Sequence, residues 1–400
     1  MTSKPDLLPA LSQSPRDAGF IQAPWAFYDQ ARGAGPLFYW PEYGIPCTGD
    51  HALVGAVLRD RRFGREAPPG LRPDPPAHLA PFYAFEALSM LEREPPAHTR
   101  LRKLVMRAFT SRRIAGLGPD IAALSAELIA GFSGDSVDLL PAWCEKIPVV
   151  VICRLLGVPE EMADQLLVWS HDMVAMYQAR RDRAVEDRAV AATLAFGAFL
   201  RGYIDHRRRA PRDDLLSALI AAEEAGDKLT PDELIATCIL LLNAGHEATV
   251  HGLGNGVKAV LESRLPPPAL FAHRAAETVE EILRFDPPLH LFTRYALTEA
   301  EIAGIRIPQG GQIGLLLGAA GRDPAMYREP QRFDPERGGP AHHALGAGIH
   351  FCVGAPLARL EMQVALRDLF TRLPTLRLES PPLYADRYHF RGLEALRVAV

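Results

Sequence analysis

The sequence is poor in cysteine and contains no C-x-x-C pair. Its five cysteines are scattered along 400 residues, at Cys47, Cys144, Cys153, Cys238 and Cys352. Structural zinc ribbons use closely spaced cysteine pairs, so a site of that kind is disfavoured. An odd number of scattered cysteines also argues against a disulfide framework and indicates a reducing compartment, the cytoplasm.

Long apolar runs and an excess of charge of one sign are also missing. No run is long and uncharged enough to span a bilayer, and the first residues contain no apolar signal-like stretch, so we expect no membrane anchor. Lysine and arginine number 44 against 48 aspartates and glutamates, which gives a net charge of −4. Proteins that bind nucleic acid usually have a strong basic excess, so nucleic acid is not an expected partner.

The order of sequence patterns predicts a mainly α fold with a minor β part. Helical patterns dominate from His98 to about Asp286, and short β-like runs follow at 292–297, 301–307 and 312–317. A long loop rich in proline and aromatic residues is expected from Phe63 to Pro96. There is no internal repeat, low-complexity linker or break in composition. The sequence therefore predicts one large domain over residues 1–400, of which residues 1–20 form a loosely ordered arm. We also expect a monomer.

The segment from His342 to Arg359 surrounds Cys352 with three glycines and is followed at once by an apolar-periodic helix. Glycine allows positive φ and a close approach of the backbone to a bulky group. A helix that begins just after the sulfur directs unpaired N–H groups towards it, which favours the thiolate. The segment therefore suggests a thiolate that binds iron. The ordinary alternative, a buried free cysteine, applies to the other four cysteines.

A long buried helix is predicted from Thr230, where T-P-D-E fits a capping box, to about residue 264. Leu240, Ala244 and Ala248 lie at i, i+4 and i+8, so they form a stripe of decreasing size against which a flat ring could lie. Glu247 is a carboxylate in an apolar setting and a candidate for proton transfer. Gly245 in mid-helix suggests a local distortion. The alternative is an ordinary core helix whose glutamate pairs with a nearby base.

Three segments in chain order, AGHEAT around Glu247, EEILR at 280–284 and LGAGIHFCVG around Cys352, together resemble the soluble bacterial cytochrome P-450 family, the haem-thiolate monooxygenases. The similarity runs from about Pro24 to the C-terminus. It implies a single P-450-type domain with a long central helix over the haem. It also implies haem b, iron protoporphyrin IX, as the cofactor, with Cys352 as the axial thiolate and ligand of the iron.

The resemblance also assigns residues to the haem carboxylates. His98, Arg102, Arg294 and His350 match positions that face the propionates, and Ala244 lies where the helix meets the ring. Buried carboxylates require charge-assisted donors. The alternative for each basic residue is an ordinary surface charge.

A structural network resembles the E-x-x-R pair of the family. Glu281 and Arg284 lie at i, i+3 on one helix face. Arg332 matches the third member of this network, which supports the fold and takes no part in catalysis.

Two positions depart from the family pattern. Leu345 stands where phenylalanine is usual beside the thiolate, and Ala248 stands where a threonine usually follows the acid. Thr249 is one residue later, about 100° further round the helix, so it does not simply replace that hydroxyl. The candidate catalytic positions are therefore Glu247, Ala248 and Thr249. We expect proton delivery to depend on Glu247, water and the substrate.

The resemblance implies reductive activation of O2 and oxidation of a small organic substrate, most often by hydroxylation. The sequence has neither a G-x-G-x-x-G unit nor a ferredoxin-like cysteine cluster. Two electrons must therefore come from a separate partner, which we expect to be a ferredoxin with its reductase. Basic side chains near the cysteine could attract an acidic partner, namely Arg61, Arg62, Lys103, Arg107, Arg112, Arg113 and Arg359.

The expected substrate pocket is mainly apolar and aromatic. Its predicted lining comprises Phe82, Phe85, Leu240, Leu241, Ala244, His290, Leu291, Phe292, His389 and Phe390. Such a lining fits a terpenoid, steroid, polyketide or small aromatic compound without choosing among them, and His290 is the possible polar anchor.

Three other functions stay open at this point. A non-catalytic haem sensor or carrier would keep the cysteine segment but would not need Glu247. A peroxide-driven haem oxygenase would work without the electron partner. A zinc protein could use His342, His343, His350 and Cys352, although these residues lack a recognised ligand spacing.

Overall fold

The computed structural model describes residues 8–71, 74–178, 181–224, 229–263 and 265–400. Helices dominate it, as the sequence predicts. Their bounds are α1 Ala18–Gln22, α2 Trp25–Gly33, α3 His51–Arg59, α4 Ala80–Glu86, α5 Ala97–Ala108, α6 Ser111–Gly116, α7 Gly118–Ala130, α8 Lys146–Leu156, α9 Ala163–Val174, α10 Arg183–Arg209, α11 Leu215–Glu224, α12 Pro231–Glu262, α13 Pro267–His273, α14 Ala275–Phe285, α15 Leu317–Ala320 and α16 Ala355–Arg372.

The strands form a minor β part. They are β1 Phe38–Trp40, β2 Ile45–Thr48, β3 Phe63–Gly64, β4 Ser136–Asp138, β5 Leu291–Ala296, β6 Ala300–Ile302, β7 Ile305–Ile307, β8 Gln312–Leu316, β9 Arg377–Leu378 and β10 Arg397–Ala399. One sheet has the order β1-β2-β8-β5-β3, a second has the order β4-β10-β9, and β6 pairs with β7. The single β-like run expected at 301–307 is thus a hairpin, which turns at Ala303 and Gly304, both with positive φ.

The central helix α12 is 32 residues long, about 48 Å. Its start follows the predicted capping box: Glu233 donates its backbone N–H to the Thr230 hydroxyl at 3.1 Å, and its carboxylate accepts from the Thr230 N–H at 2.8 Å. It packs against α8, α9, α10, α14 and α16. A helix surrounded in this way must be apolar nearly all round, which explains why its middle reads as a continuous hydrophobic run.

Gly245 does not distort α12, which is helical throughout. A Cβ at this position would lie 3.0 Å from Ile152 of α8. The glycine therefore allows the two helices to approach closely, and the predicted local distortion is wrong.

The N-terminal segment is attached to the first sheet. Leu11 donates to the carbonyl of Tyr39 at 3.0 Å, and the indole N–H of Trp40 donates to the carbonyl of Gln13 at 2.8 Å. The loosely ordered arm predicted for residues 1–20 is therefore wrong for this stretch, while residues 1–7 lie outside the described residues.

In its described residues, the predicted proline-rich loop from Phe63 to Pro96 contains α4 and two short 3-10 helices, Ala77–Leu79 and Met90–Glu92. Within the described residues, no helix combines the length and apolarity needed to cross a membrane.

Candidate active site

The loop that carries Cys352 lies between α15 and α16 and folds back on itself. The Cys352 N–H donates to the carbonyl of Leu345 at 3.0 Å. Gly346 and Gly348 have φ of 72° and 70°, as the glycine pattern predicts. A Cβ at Gly348 would clash with the carbonyl of Leu58 at the end of α3. Glycine is therefore needed here because the loop packs directly on α3.

Cys352 differs from the other four cysteines in exposure. Cys47, Cys144, Cys153 and Cys238 are buried, whereas Cys352 is partly exposed. Burial of the sulfur raises the pKa of the Cys352 thiol, and the amides of Gly354 and Ala355 together with Arg102 only partly offset this effect. The amides at the helix start therefore lower the thiol pKa as predicted, but desolvation is the larger effect and leaves the pKa of Cys352 above its ordinary value. A cation bound at the sulfur would supply the missing stabilisation.

Two histidines lie beside this loop. The rings of His98, on α5, and His350 are 4.4 Å apart between centroids. His350 Nε2 lies 2.9 Å from Glu94 Oε1, a carboxylate that the sequence did not single out. His98 is 3% exposed, and its Nδ1 has no hydrogen-bond partner among the described residues. Burial and the neighbouring His350 and Arg102 lower the pKa of His98 to about 4.

Two arginines on different elements complete the group of basic residues. Arg294, on β5, is 3% exposed, and its one hydrogen bond within the described residues goes to the carbonyl of Thr293 at 2.9 Å. Burial, reinforced by Arg65, lowers the pKa of Arg294 to about 9. Arg102, one turn after His98 on α5, is close enough to interact with Cys352. Neither Arg102 nor Arg294 forms an ion pair with a carboxylate in the described part of the chain.

The stripe predicted on α12 lies on the most exposed face of its middle turns. Leu240 and Ala248 are partly exposed and Ala244 is exposed, whereas residues 234–239 and 249–257 are buried. Small side chains at the two central positions leave the helix backbone accessible to a flat group, as the spacing predicts.

The carboxylate of Glu247 lies among a group of histidines. It is 2% exposed, its Oε1 lies 3.4 Å from His171 Nε2 on α9, and its Oε2 lies 3.5 Å from His251 Nε2. Neither carboxylate oxygen has a hydrogen-bond partner among the described atoms. Burial raises the pKa of Glu247, but His251, His171, His246 and Arg387 outweigh it, so the pKa lies below its ordinary value. The sequence missed the two histidines, although His251 lies at i+4 on the same helix.

Thr249 lies on another side of α12. It is buried against Glu361 of α16, whose pKa burial raises well above its ordinary value and whose contact with Thr249 lowers it. Because Thr249 faces α16, its hydroxyl is not directed to the stripe of Ala244 and Ala248. The placement argues against Thr249 as a replacement for the usual threonine.

The predicted pocket lining is only partly supported. Phe82 and Leu241 are 2% and 5% exposed and belong to the main hydrophobic core, and Leu291 is buried as well. Phe85, Leu240, Phe292, His389 and Phe390 keep partial exposure, together with the exposed Ala244. Leu289, which pairs with Phe390, is also partly exposed and was missed.

His290 is not a pocket anchor. It is fully buried, and its Nδ1 lies 2.7 Å from the hydroxyl of Tyr28. Its Nε2 faces Asp286 Oδ1 at 3.4 Å, and its ring lies against Trp25 and Tyr388. The prediction is wrong because this histidine turns into an internal polar network, a choice that the sequence does not reveal.

The predicted E-x-x-R network forms with one correction. The guanidinium of Arg284 donates to both oxygens of Glu281, at 2.6 and 2.7 Å, inside the protein. Arg332 contributes only its backbone carbonyl, and its exposed side chain lies near Glu329. The second arginine at Glu281 is Arg337, at 3.4 Å.

The four residues of the zinc alternative do not converge. His342 lies 3.3 Å from Glu280, His343 bonds to the carbonyl of His51, and His350 pairs with Glu94. In the part of the chain that the structure describes, the side chains grouped closely enough to hold a metal ion are instead His171, His246 and Glu247.

The chain was compared with known proteins. Residues 275–382, which contain Glu281, Arg294 and Cys352, match the family model described as Cytochrome P450. The chain is 39% identical over 399 residues to the vitamin D(3) 25-hydroxylase of Pseudonocardia autotrophica, covering 95% of this chain and 94% of the relative. The chain belongs to the cytochrome P450 family. It is also 39% identical over 339 residues to the 6-deoxyerythronolide B hydroxylase of Saccharopolyspora erythraea, covering 81% of each chain.

Solved cytochrome P450 structures agree with this assignment. The crystal structure of P450BioI in complex with an acyl carrier protein carrying hexadec-9Z-enoic acid has a TM-score of 0.90 at 32% identity, covering 96% of this chain and 100% of that chain. Mycobacterium smegmatis CYP164A2 in its ligand-free state has a TM-score of 0.86 at 38% identity, covering 96% and 98%. The predicted P450 fold is confirmed. The protein is a cytochrome P450 monooxygenase, an oxidoreductase; members of this family are haem proteins that generally receive electrons from redox partners.

The residues of this P450 fit a haem. Such a group has two carboxylates, and the site offers His98, Arg102 and Arg294 without a carboxylate of their own within the described residues. Its iron needs an anionic sulfur, and the partly exposed Cys352 is the candidate. Its flat ring needs a surface of small side chains, which Ala244 and Ala248 provide.

Proposed function

We propose that Cys352 is the axial thiolate of a haem b that lies between the cysteine loop and the stripe of Leu240, Ala244 and Ala248 on α12. When bound, this haem supplies reductive activation of O2 for oxygen insertion into a substrate. The protein supplies the sulfur, the contacts to the haem carboxylates, the proton route and the pocket.

The observation that carries this proposal is the burial of Arg294 without an anionic partner. A buried guanidinium is costly unless an anion accepts its hydrogen bonds. Arg294 and Phe292 lie two residues apart on β5 and so on one face of the strand, and the guanidinium carbon is 5.6 Å from the Phe292 ring centroid. The same ring approaches Gly346 of the cysteine loop. A haem propionate at this place would accept from Arg294, and the second would accept from His98, Arg102 and His350.

Glu247 is proposed as the proton-transferring acid. Its carboxylate lies 3.4 Å from the half-exposed His171, so a proton could pass from solvent through the imidazole to the carboxylate. Ala248 contributes no hydroxyl, and Thr249 faces Glu361. Water or a hydroxyl of the substrate therefore completes the route.

The electron donor is proposed to be a ferredoxin, reduced by its own reductase. Phe351 and Ile349 of the cysteine loop and Met106 of α5 are exposed large apolar side chains. Five of the predicted basic residues are exposed on α5, on α6 and on the segment after α3, namely Arg61, Arg62, Lys103, Arg107 and Arg112, and Arg62 is paired with Asp60. An apolar centre with a basic rim suits an acidic partner. Of the remaining predicted residues, Arg113 is bound to Asp213 and Arg359 to Glu280.

The substrate is proposed to be a small, mostly apolar organic molecule. Phe85, Leu240, Leu289, Phe292 and Phe390 are partly exposed apolar side chains that can line such a pocket. With His290 turned into the interior, the pocket loses its predicted polar anchor. Binding should therefore depend on shape and apolar contact.

A pair of cysteine variants tests the proposal. The dithionite-reduced protein with carbon monoxide should show the strongly red-shifted Soret band of thiolate-ligated haem. Cys352→Ser should abolish that band, whereas Cys153→Ala, a buried cysteine on α8, should keep it. A red-shifted band that persists in Cys352→Ser would contradict the assignment. Turnover with NAD(P)H, ferredoxin and reductase, compared with turnover with peroxide alone, separates the monooxygenase from a peroxide-driven enzyme.

A further inference from the structure

We propose that His171, His246 and Glu247 form a binding site for a divalent zinc ion beside α12. His246 and Glu247 are neighbours on α12, and His171 approaches them from α9. One ligand atom of each side chain lies within 4.8 Å of the others. The three residues thus offer two imidazole nitrogens and one carboxylate, a donor set that Zn²⁺ prefers.

The buried donor atoms of this group are unpartnered. His246 and Glu247 are each 2% exposed. His246 Nε2 and both carboxylate oxygens of Glu247 have no hydrogen-bond partner among the described residues. Buried polar atoms without partners are rare in proteins, so each such group calls for a ligand, a water or an ion. Here one ring nitrogen of each histidine and one oxygen of Glu247 lie within 4.8 Å of one another, which favours a shared ligand.

The tautomer of His246 suits a metal ligand. Its Nδ1 lies 2.7 Å from the carbonyl of Leu242, four residues earlier on the helix. Because a carbonyl can only accept, Nδ1 carries the proton and Nε2 keeps its lone pair. Burial lowers the pKa of His246 and so favours the neutral ring. A ring nitrogen held by a backbone carbonyl while the other faces a metal is the usual arrangement around bound zinc.

The distances between the donor atoms and the solvent exposure of His171 also fit a zinc site. His171 Nε2 and Glu247 Oε1 are 3.4 Å apart. Two ligands in a tetrahedral zinc site with bonds of about 2.1 Å are separated by about 3.4 Å. The side chain of His171 is 41% exposed, so it can adjust its rotamer and gives an ion a path from solvent. His251 Nε2, 3.5 Å from the other oxygen of Glu247, can hold the carboxylate from the opposite side.

Zinc at this site would affect catalysis in a defined way. The ion would take Glu247 as a ligand and so remove its carboxylate from proton transfer. This consequence rests on the proposed function, whereas binding of the ion does not, because none of the three donor atoms belongs to the haem-binding residues. Zinc would therefore act as a reversible inhibitor that enters from the α9 side.

Equilibrium dialysis of the purified haem-loaded enzyme against ZnCl2, with bound zinc measured by atomic emission, tests the site. One zinc ion should bind per chain, and His171→Gln should weaken its affinity at least tenfold. His273→Gln, which changes an exposed histidine at the end of α13, should leave the affinity unchanged. The proposal is overturned if no stoichiometric zinc binds, or if His171→Gln binds zinc as tightly as the parent enzyme.

Zinc K-edge absorption identifies the ligands independently of the variants. Nitrogen and oxygen neighbours at about 2.0–2.1 Å with imidazole scattering support the site, whereas sulfur neighbours at about 2.3 Å would place the ion on a cysteine and overturn it. His246→Gln should also lose binding, but it alters a buried side chain. If that variant does not fold, the dialysis result for His171→Gln still tests the site, because His171 is half-exposed. Neither measurement uses substrate or reductant, so failure of zinc binding and failure of the proposed proton route are told apart.

Discussion

Replacing Arg294 with methionine should accelerate the loss of haem. The guanidinium of Arg294 is 3% exposed and has no carboxylate partner within the described residues. Its pKa is lowered from 12.5 to about 9, chiefly by burial. At 1.36 kcal/mol per pKa unit, burial disfavours the charged form by roughly 5 kcal/mol. We expect an anion to offset this unfavourable free energy by accepting hydrogen bonds from the guanidinium, and we propose that the anion is a haem propionate.

The size of the effect follows from the bond that is lost. A hydrogen bond to a charged group contributes about 1.5–3 kcal/mol, and 1.4 kcal/mol corresponds to a factor of ten in an equilibrium constant. Haem affinity should therefore fall about 10- to 150-fold in Arg294→Met. Arg294→Lys keeps the charge but loses the planar fork, so its loss should be smaller.

The assay is the rate of haem transfer from the P450 to an excess of apomyoglobin, followed in the Soret region. The matched control is Arg306→Met on β7, since Arg306 is exposed and lies 3.6 Å from Glu299. Its rate should equal that of the parent enzyme. A rate in Arg294→Met within twofold of the control would refute the reasoning, because the buried arginine would then not hold the haem.

The other predictions concern proton delivery, the buried ion pair and acid stability. Ala248→Thr should raise the ratio of product formed to NAD(P)H consumed, and an unchanged ratio would show that Ala248 is incidental. Glu281→Gln should destabilise the protein by about 3–5 kcal/mol in denaturant unfolding, because it leaves Arg284 buried without its anion; a loss below about 1 kcal/mol would contradict this. Burial lowers the pKa of both His251 and His290 to about 4, below the ordinary 6.5, so the folded state keeps them neutral. Stability should therefore fall as the pH drops from about 6.5 to 4, by up to about 2 kcal/mol per histidine at pH 5, and a thermal midpoint that stays constant over this range would contradict the assignment.

The sequence by itself determined the parts of this protein that depend on local pattern. Capping and periodicity predicted α12 and its stripe, because an N-cap and a side-chain spacing are set within a few residues. The positive φ of Gly346 and Gly348 beside Cys352 was predictable for the same reason. So was the pairing of Glu281 with Arg284, which lie one turn apart on one helix.

Tertiary structure decided what meets each side chain, because such contacts join residues far apart in the chain. The side chain of Arg337, and not that of Arg332, reaches Glu281. His290 turns to Tyr28 and away from the substrate pocket. Neither choice of partner can be read from the residue type alone. The pKa of Cys352 depends on how completely the fold removes water from the sulfur, and this outweighs the local effect of the helix start. Likewise, the sequence of α12 does not reveal that Glu247 contacts His171. This histidine belongs to α9, about 76 residues earlier, and only the packing of α9 on α12 brings the two side chains together.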